Sequence, residues 1–88
     1  MFDVVRPIRL PDIQAARRRL DGLTVVTPAP ACHAAPAGNL VRLKLENLQP
    51  IGSFKLRPVG NAVLTRSREE LSAGIYTCSS GNSALGVA

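Results

Sequence analysis

Aromatic side chains are nearly missing from this sequence, which has no tryptophan, one tyrosine and two phenylalanines, 3% of 88 residues. Nucleic-acid-tracking surfaces spread Lys and Arg along a stripe, often with stacking rings between them. Here Arg17-Arg18-Arg19 is the one basic cluster, and on an amphipathic helix such a triplet is a solvated face, so the net charge of +5 points away from a nucleic-acid partner and towards small anions. Cysteine is equally scarce. Cys32 and Cys78 make neither a CxxC pair nor a framework, which argues against a disulfide scaffold or structural zinc. Cys32 beside the lone His33 offers two adjacent ligands that cannot easily point at one metal. No run approaches the ~18–20 apolar residues of a membrane span. The start, Met1-Phe-Asp-Val-Val-Arg6, lacks the basic-then-apolar order of a signal peptide, so a cytoplasmic location with no membrane partner is expected.

What is present reads as globular: 45% hydrophobic and 19% charged residues, away from the composition of disorder. A chain this short makes one domain or less, and it is expected to bury roughly 60–65% of its unfolded surface around a marginal core. Pro11-Asp12 opens a helical pattern with Ile13, Ala16 and Leu20 on one stripe, and Gly22 stops it. A short extended run over residues 23–27 leads into an Ala/Pro-rich loop over 28–38. Residues 41–46 alternate apolar Val41, Leu43 and Leu45 with polar neighbours, which predicts a strand with one buried face. Ser53 can cap a helix running through Leu56, Val59, Val63 and Leu64. Ser67 with Glu70 makes a capping box for a short helix that Gly74 ends. Residues 75–78 predict a second strand, and a last helix starts near Ser83.

Strand, helix, strand, helix implies an α/β fold: a partial parallel sheet with right-handed crossover helices, both strands opening on one sheet edge. The expected organisation is one partial domain over 1–88, with an N-terminal helix and loop over 1–38 and a β-α-β-α unit over 39–88.

Chemistry gathers at strand-to-helix junctions in such folds. Lys55 falls at the first, in the run Glu46-Asn-Leu-Gln-Pro-Ile-Gly-Ser-Phe-Lys55-Leu-Arg57. A cation at a helix N-terminus is electrostatically disfavoured, which drives the amine towards its neutral, nucleophilic form. A surface lysine that snorkels to water is the alternative. Ser79-Ser80-Gly81-Asn82 occupies the second junction and supplies hydroxyls, flexible backbone and an amide, the makings of a carboxylate cradle or simply of a helix cap.

The segments LKLENLQPIGSFKLR and SSGN, the latter followed by SALGVA, closely resemble the amino-terminal part of the threonine/serine dehydratase group. These are fold-type II enzymes, similar to tryptophan synthase β, that use pyridoxal 5′-phosphate. The resemblance runs from about Ile13 to Ala88. It implies that Lys55 bonds the cofactor and shuttles the substrate Cα proton, with Phe54 and Ser53 shaping its turn. It implies that Phe54 and Asn82 join Lys55 in binding the cofactor, Asn82 through the ring hydroxyl, and that Ser79, Ser80, Gly81, Asn82 and Ser83 face the amino acid substrate. Ser80 matches the serine opposite the lysine in racemising members. The implied reaction is β-elimination of serine or threonine to a 2-oxo acid and ammonia. Amino acid racemisation, or a non-catalytic remnant that docks to a partner, are the alternatives. The family usually has histidine at Ser83 and glycine at Pro58, and a proline there, costing up to about 3 kcal/mol inside a helix, is expected to kink it. The family's glycine-rich phosphate loop and pyridine-nitrogen partner have no counterpart in this sequence, and homodimerisation is expected only of a full-length enzyme.

Overall fold

The computed structural model of the protein describes residues 4–88. Helix α1 spans Leu10–Arg19, with Pro11 in its first turn. The Asp12 carboxylate accepts the Arg9 backbone N–H at 2.9 Å, which satisfies one of the donors left open at the helix start. After Leu20, Gly22 takes the left-handed conformation, φ 81°, that ends the helix cheaply for a residue without Cβ. Helix α2 spans Leu56–Leu64, α3 Arg68–Leu71 and α4 Asn82–Val87, and Glu46–Leu48 forms a single 3-10 turn. The predicted capping box forms in α3, where the Ser67 hydroxyl accepts the Glu70 N–H at 3.1 Å and the Glu70 carboxylate accepts the Ser67 N–H at 2.8 Å.

The expected parallel sheet is not formed among the described residues, which hold no regular strand. Residues 41–45 pair instead with the Ala/Pro-rich segment, antiparallel. Cys32 N–H donates to the Val41 carbonyl at 2.9 Å, Leu43 N–H to Pro30 at 3.0 Å and Leu45 N–H to Pro28 at 3.0 Å. An antiparallel pair normally exchanges both bonds. Pro28 and Pro30 have no N–H to return to Leu45 and Leu43, so those pairs carry one bond each, and the ladder holds a single bridge, Ala31 to Arg42. Lys44 and Arg42 reach across to the Thr27 and Ala29 carbonyls, each at 3.0 Å. Glu46 leaves the extended run for the 3-10 turn, so the predicted strand ends one residue early.

Residues 75–78, expected as the second strand, stay outside any ladder, and the backbone of 75–79 makes no backbone hydrogen bond among the described residues. Tyr76 is 99% exposed. Pro58 corrects another expectation. Because α2 begins at Leu56, Pro58 sits in the first turn, where its missing N–H would have had no intrahelical partner, and the helix continues to Leu64.

Two glycines let the helices meet. At Gly60 a Cβ would lie 2.5 Å from Leu23 Cδ2 and 3.3 Å from Leu20 Cδ2, so α2 takes the end of the α1 segment into that gap. At Gly86 a Cβ would lie 3.2 Å from Val59 Cβ and 3.4 Å from the Lys55 carbonyl, which brings α4 onto the first turn of α2. Leu20 and Leu56 are the buried apolar side chains among the described residues, beside the buried polar Thr27, Gln49 and Ser53.

Candidate functional site

Lys55 stands at the head of α2, half-buried, as the residue that leads into the helix. Its backbone is held locally on both sides. The Ser53 hydroxyl accepts the Lys55 N–H at 3.0 Å, and the Lys55 carbonyl accepts the Val59 N–H at 3.2 Å. The sequence predicts Ser53 as the cap of α2, but Lys55 takes the N-cap position without a side-chain cap, and the Ser53 hydroxyl closes a local turn just ahead of it. Phe54 is turned outward, and the Lys55 ammonium rests over its ring at 5.2 Å from the centroid, within cation–π range.

A polar hub lies beneath this turn. Arg57 Nε donates to Glu46 Oε2 at 2.8 Å and a terminal nitrogen of the same guanidinium donates to Oε1 at 3.0 Å, a bidentate pair. Thr27 Oγ1 donates to Glu46 Oε1 at 2.7 Å, and Gln49 Nε2 donates to Oε2 at 3.2 Å. Gln49 also docks its amide on the extended segment, accepting the Val25 N–H at 3.0 Å and donating to the Val25 carbonyl at 2.9 Å. The side chain of Gln49 therefore pairs with Val25 as a neighbouring strand would. The Arg57 guanidinium holds the Glu46 carboxyl at a pKa of about 2, below its ordinary 4.5, with Thr27 and Gln49 adding to the effect against the cost of burial. The same pairing raises Arg57 above its ordinary value.

Ser79-Ser80-Gly81-Asn82 leads into α4, and the first four residues of this stretch are exposed while Ser83 is half-buried. The Ser79 hydroxyl accepts the Gly81 N–H at 3.2 Å, closing a small turn before the helix. Gly81, with φ −172°, is simply extended. Through Gly86 on Val59 and the Lys55 carbonyl, the helix that carries Asn82 and Ser83 packs directly on the helix headed by Lys55. The two sequence motifs thus lie on adjacent elements. Two grooves lie away from Lys55 and the Ser79-Asn82 loop, one of about 410 Å³ between α2, α3 and Tyr76, another of about 380 Å³ between α1, Val25, Lys44 and Arg57. No group of three or more potential metal ligands occurs among the described residues. Nor is any described helix long and apolar enough to cross a membrane.

Glu46, Gln49 and Arg57 are the residues that sequence reasoning left without a role. A single carboxylate and a guanidinium flanking the lysine in a mostly apolar stretch was the available signal, but their bond crosses a turn whose path the spacing does not reveal.

Comparison with known proteins places this geometry in context. The profile of the family described as pyridoxal-phosphate dependent enzyme matches residues 18–88. A serine racemase of Dictyostelium discoideum is 40% identical over 77 residues, covering 85% of this chain and 24% of the relative. An L-threonine dehydratase of Mycobacterium leprae is 40% identical over 86 residues, covering 93% of this chain and 20% of the relative. An L-threonine ammonia-lyase of Thermotoga maritima is 39% identical over 83 residues, covering 92% and 21%. The chain therefore spans between a fifth and a quarter of the length of these relatives. No solved structure matches it.

Proposed function

This chain belongs to the pyridoxal-phosphate dependent enzyme family, and we propose that it supplies the lysine side of a pyridoxal 5′-phosphate site that eliminates water from serine or threonine. The observation that carries the reading is the packing of α4 on the first turn of α2, which sets the Ser79-Asn82 loop and Lys55 on neighbouring helices. The donor set fits part of the cofactor: a primary amine for its aldehyde and an exposed amide for its ring hydroxyl. It includes no cradle for the phosphate among the described residues.

The cofactor, when bound, supplies the electron sink that acidifies the substrate Cα–H. Lys55 Nζ would hold that group at its aldehyde and, when free of it, would take up the substrate Cα proton at its own nitrogen. Asn82 Nδ2 would hold the ring hydroxyl. The backbone and hydroxyls of Ser79, Ser80 and Gly81 bind the substrate carboxylate, and Ser83 borders the substrate. Phe54 and Ser53 keep the lysine's turn in shape. Water is lost from the substrate, one water is taken up as the nitrogen leaves as ammonia, and a 2-oxo acid remains.

Racemisation is the second reading, favoured by the 40% identity to a serine racemase and by the exposed Ser80, whose hydroxyl could deliver a proton to the face opposite Lys55. The test is to incubate the chain with pyridoxal 5′-phosphate, reduce with borohydride and map the labelled peptide. The expected product carries the pyridoxyl group on Lys55. Labelling that ignores Lys55 would sink the reading for this chain.

A further inference from the structure

We infer that Glu46 and Arg57 form a positioning clamp for Lys55, a role that rests on the reading of Lys55 as the cofactor-bearing amine. A residue at a helix head lies where the helix frays most readily. The two bonds on the Lys55 backbone, to Ser53 and Val59, are local and shape the turn without tying it to the remainder of the molecule. The tie is Arg57. Its fork grips Glu46 at 2.8 and 3.0 Å, and Glu46 is itself gripped by Thr27 and Gln49. Gln49 is 3% exposed and locked to Val25 by bonds in both directions. An unbroken chain of hydrogen bonds thus runs from the extended segment at Val25 and Thr27 to the first turn of α2.

The spacing suits a clamp. Residues two apart on a helix do not share a face, so Arg57 can anchor α2 inward without occupying the direction taken by Lys55. A bidentate guanidinium restrains rotation as well as distance, which a lysine ammonium cannot do. Glu46 has most of its acceptor capacity committed to this network, so it acts through Arg57 and does not itself reach a reacting atom.

The test uses the whole chain as wild type, Arg57→Lys and Glu46→Gln, with two readouts. Amide hydrogen exchange is followed at Lys55 and Val59, with Glu70 in the separate α3 capping box as internal reference. Pyridoxyl incorporation at Lys55 is followed after addition of pyridoxal 5′-phosphate and borohydride reduction. Arg57→Lys keeps the charge and is the milder change, so it carries the test if Glu46→Gln does not fold. Losing charge-assisted hydrogen bonds of this kind should raise exchange at Lys55 and Val59 roughly tenfold or more with Glu70 unchanged, and labelling at Lys55 should slow by a similar factor. Wild-type exchange in both variants overturns the clamp. Faster exchange with undiminished labelling at Lys55 overturns it too, since the bond would then serve stability alone. If wild type itself is unlabelled at Lys55, the cofactor reading fails separately, and exchange by itself decides the clamp.

Discussion

The Glu46 carboxyl titrates near 2 in the folded chain, against 4.5 for an ordinary glutamate, chiefly because Arg57 donates to its ionised form. A folded-state pKa below the unfolded one means that the unfolded chain takes up the proton first as pH falls. The contribution of this pair is therefore complete above about pH 4.5 and is lost as pH falls towards 2. Urea midpoints measured across that window should drop in wild type and fall much less in Glu46→Gln. At pH 7, Glu46→Gln should lower stability by roughly 1–2 kcal/mol, because it removes the charge from a bidentate pair whose guanidinium is partly screened by solvent. Lys55 differs in kind: its backbone is fixed by neighbours within four residues, and its ammonium rests over the adjacent Phe54 ring.

Among the elements, the helices follow local chemistry closely. Pro11 and Asp12 start α1, Gly22 stops it, and Ser67 with Glu70 frames α3, all as read from neighbouring residues. The extended segments do not, because pairing is a long-range choice that side-chain alternation leaves open. Alternation over residues 41–45 identified an extended run but not its partner, which is the antiparallel segment with Pro28 and Pro30 in it. Replacing both prolines, Pro28→Thr with Pro30→Val, should complete the ladder. Hydrogen exchange should then show new protected amides at positions 28 and 30, facing the carbonyls of Leu45 and Leu43, and unprotected amides there would contradict the register. Gly86→Val should act on the opposite side of the site. Its side chain would be forced against Val59 at the head of α2, and overpacking of this sort costs about 1–3 kcal/mol. Faster exchange throughout α4 is the expected sign.

As a whole molecule the chain is open. Its accessible surface is 7450 Å², where a compact protein of 9.3 kDa would expose about 5000 Å². Roughly 45% of the unfolded surface is therefore buried, well short of the 60–65% expected from length alone. Its radius of gyration is 16.3 Å, against about 12 Å for a compact domain of this length. Val26 at 92% and Tyr76 at 99% exposure illustrate the apolar surface left facing water. Solution scattering should return a radius near 16 Å together with strong binding of an apolar dye. A radius near 12 Å would show that the exposed segments fold back onto the helices.

What the sequence determined by itself is what depends on near neighbours: helix starts and stops, the turn that carries Lys55, and the two motifs that mark the family. These are set by caps, glycine conformations and hydrogen bonds spanning a few residues. Only the tertiary structure decided which segment residues 41–45 pair with, that Pro58 falls harmlessly in a first turn, and that Arg57 reaches Glu46 across a bend. It also brought α4 onto the head of α2 through Gly86. Each of those depends on distances between residues far apart in the chain, and a distance of that kind is fixed by packing, which composition and spacing do not encode.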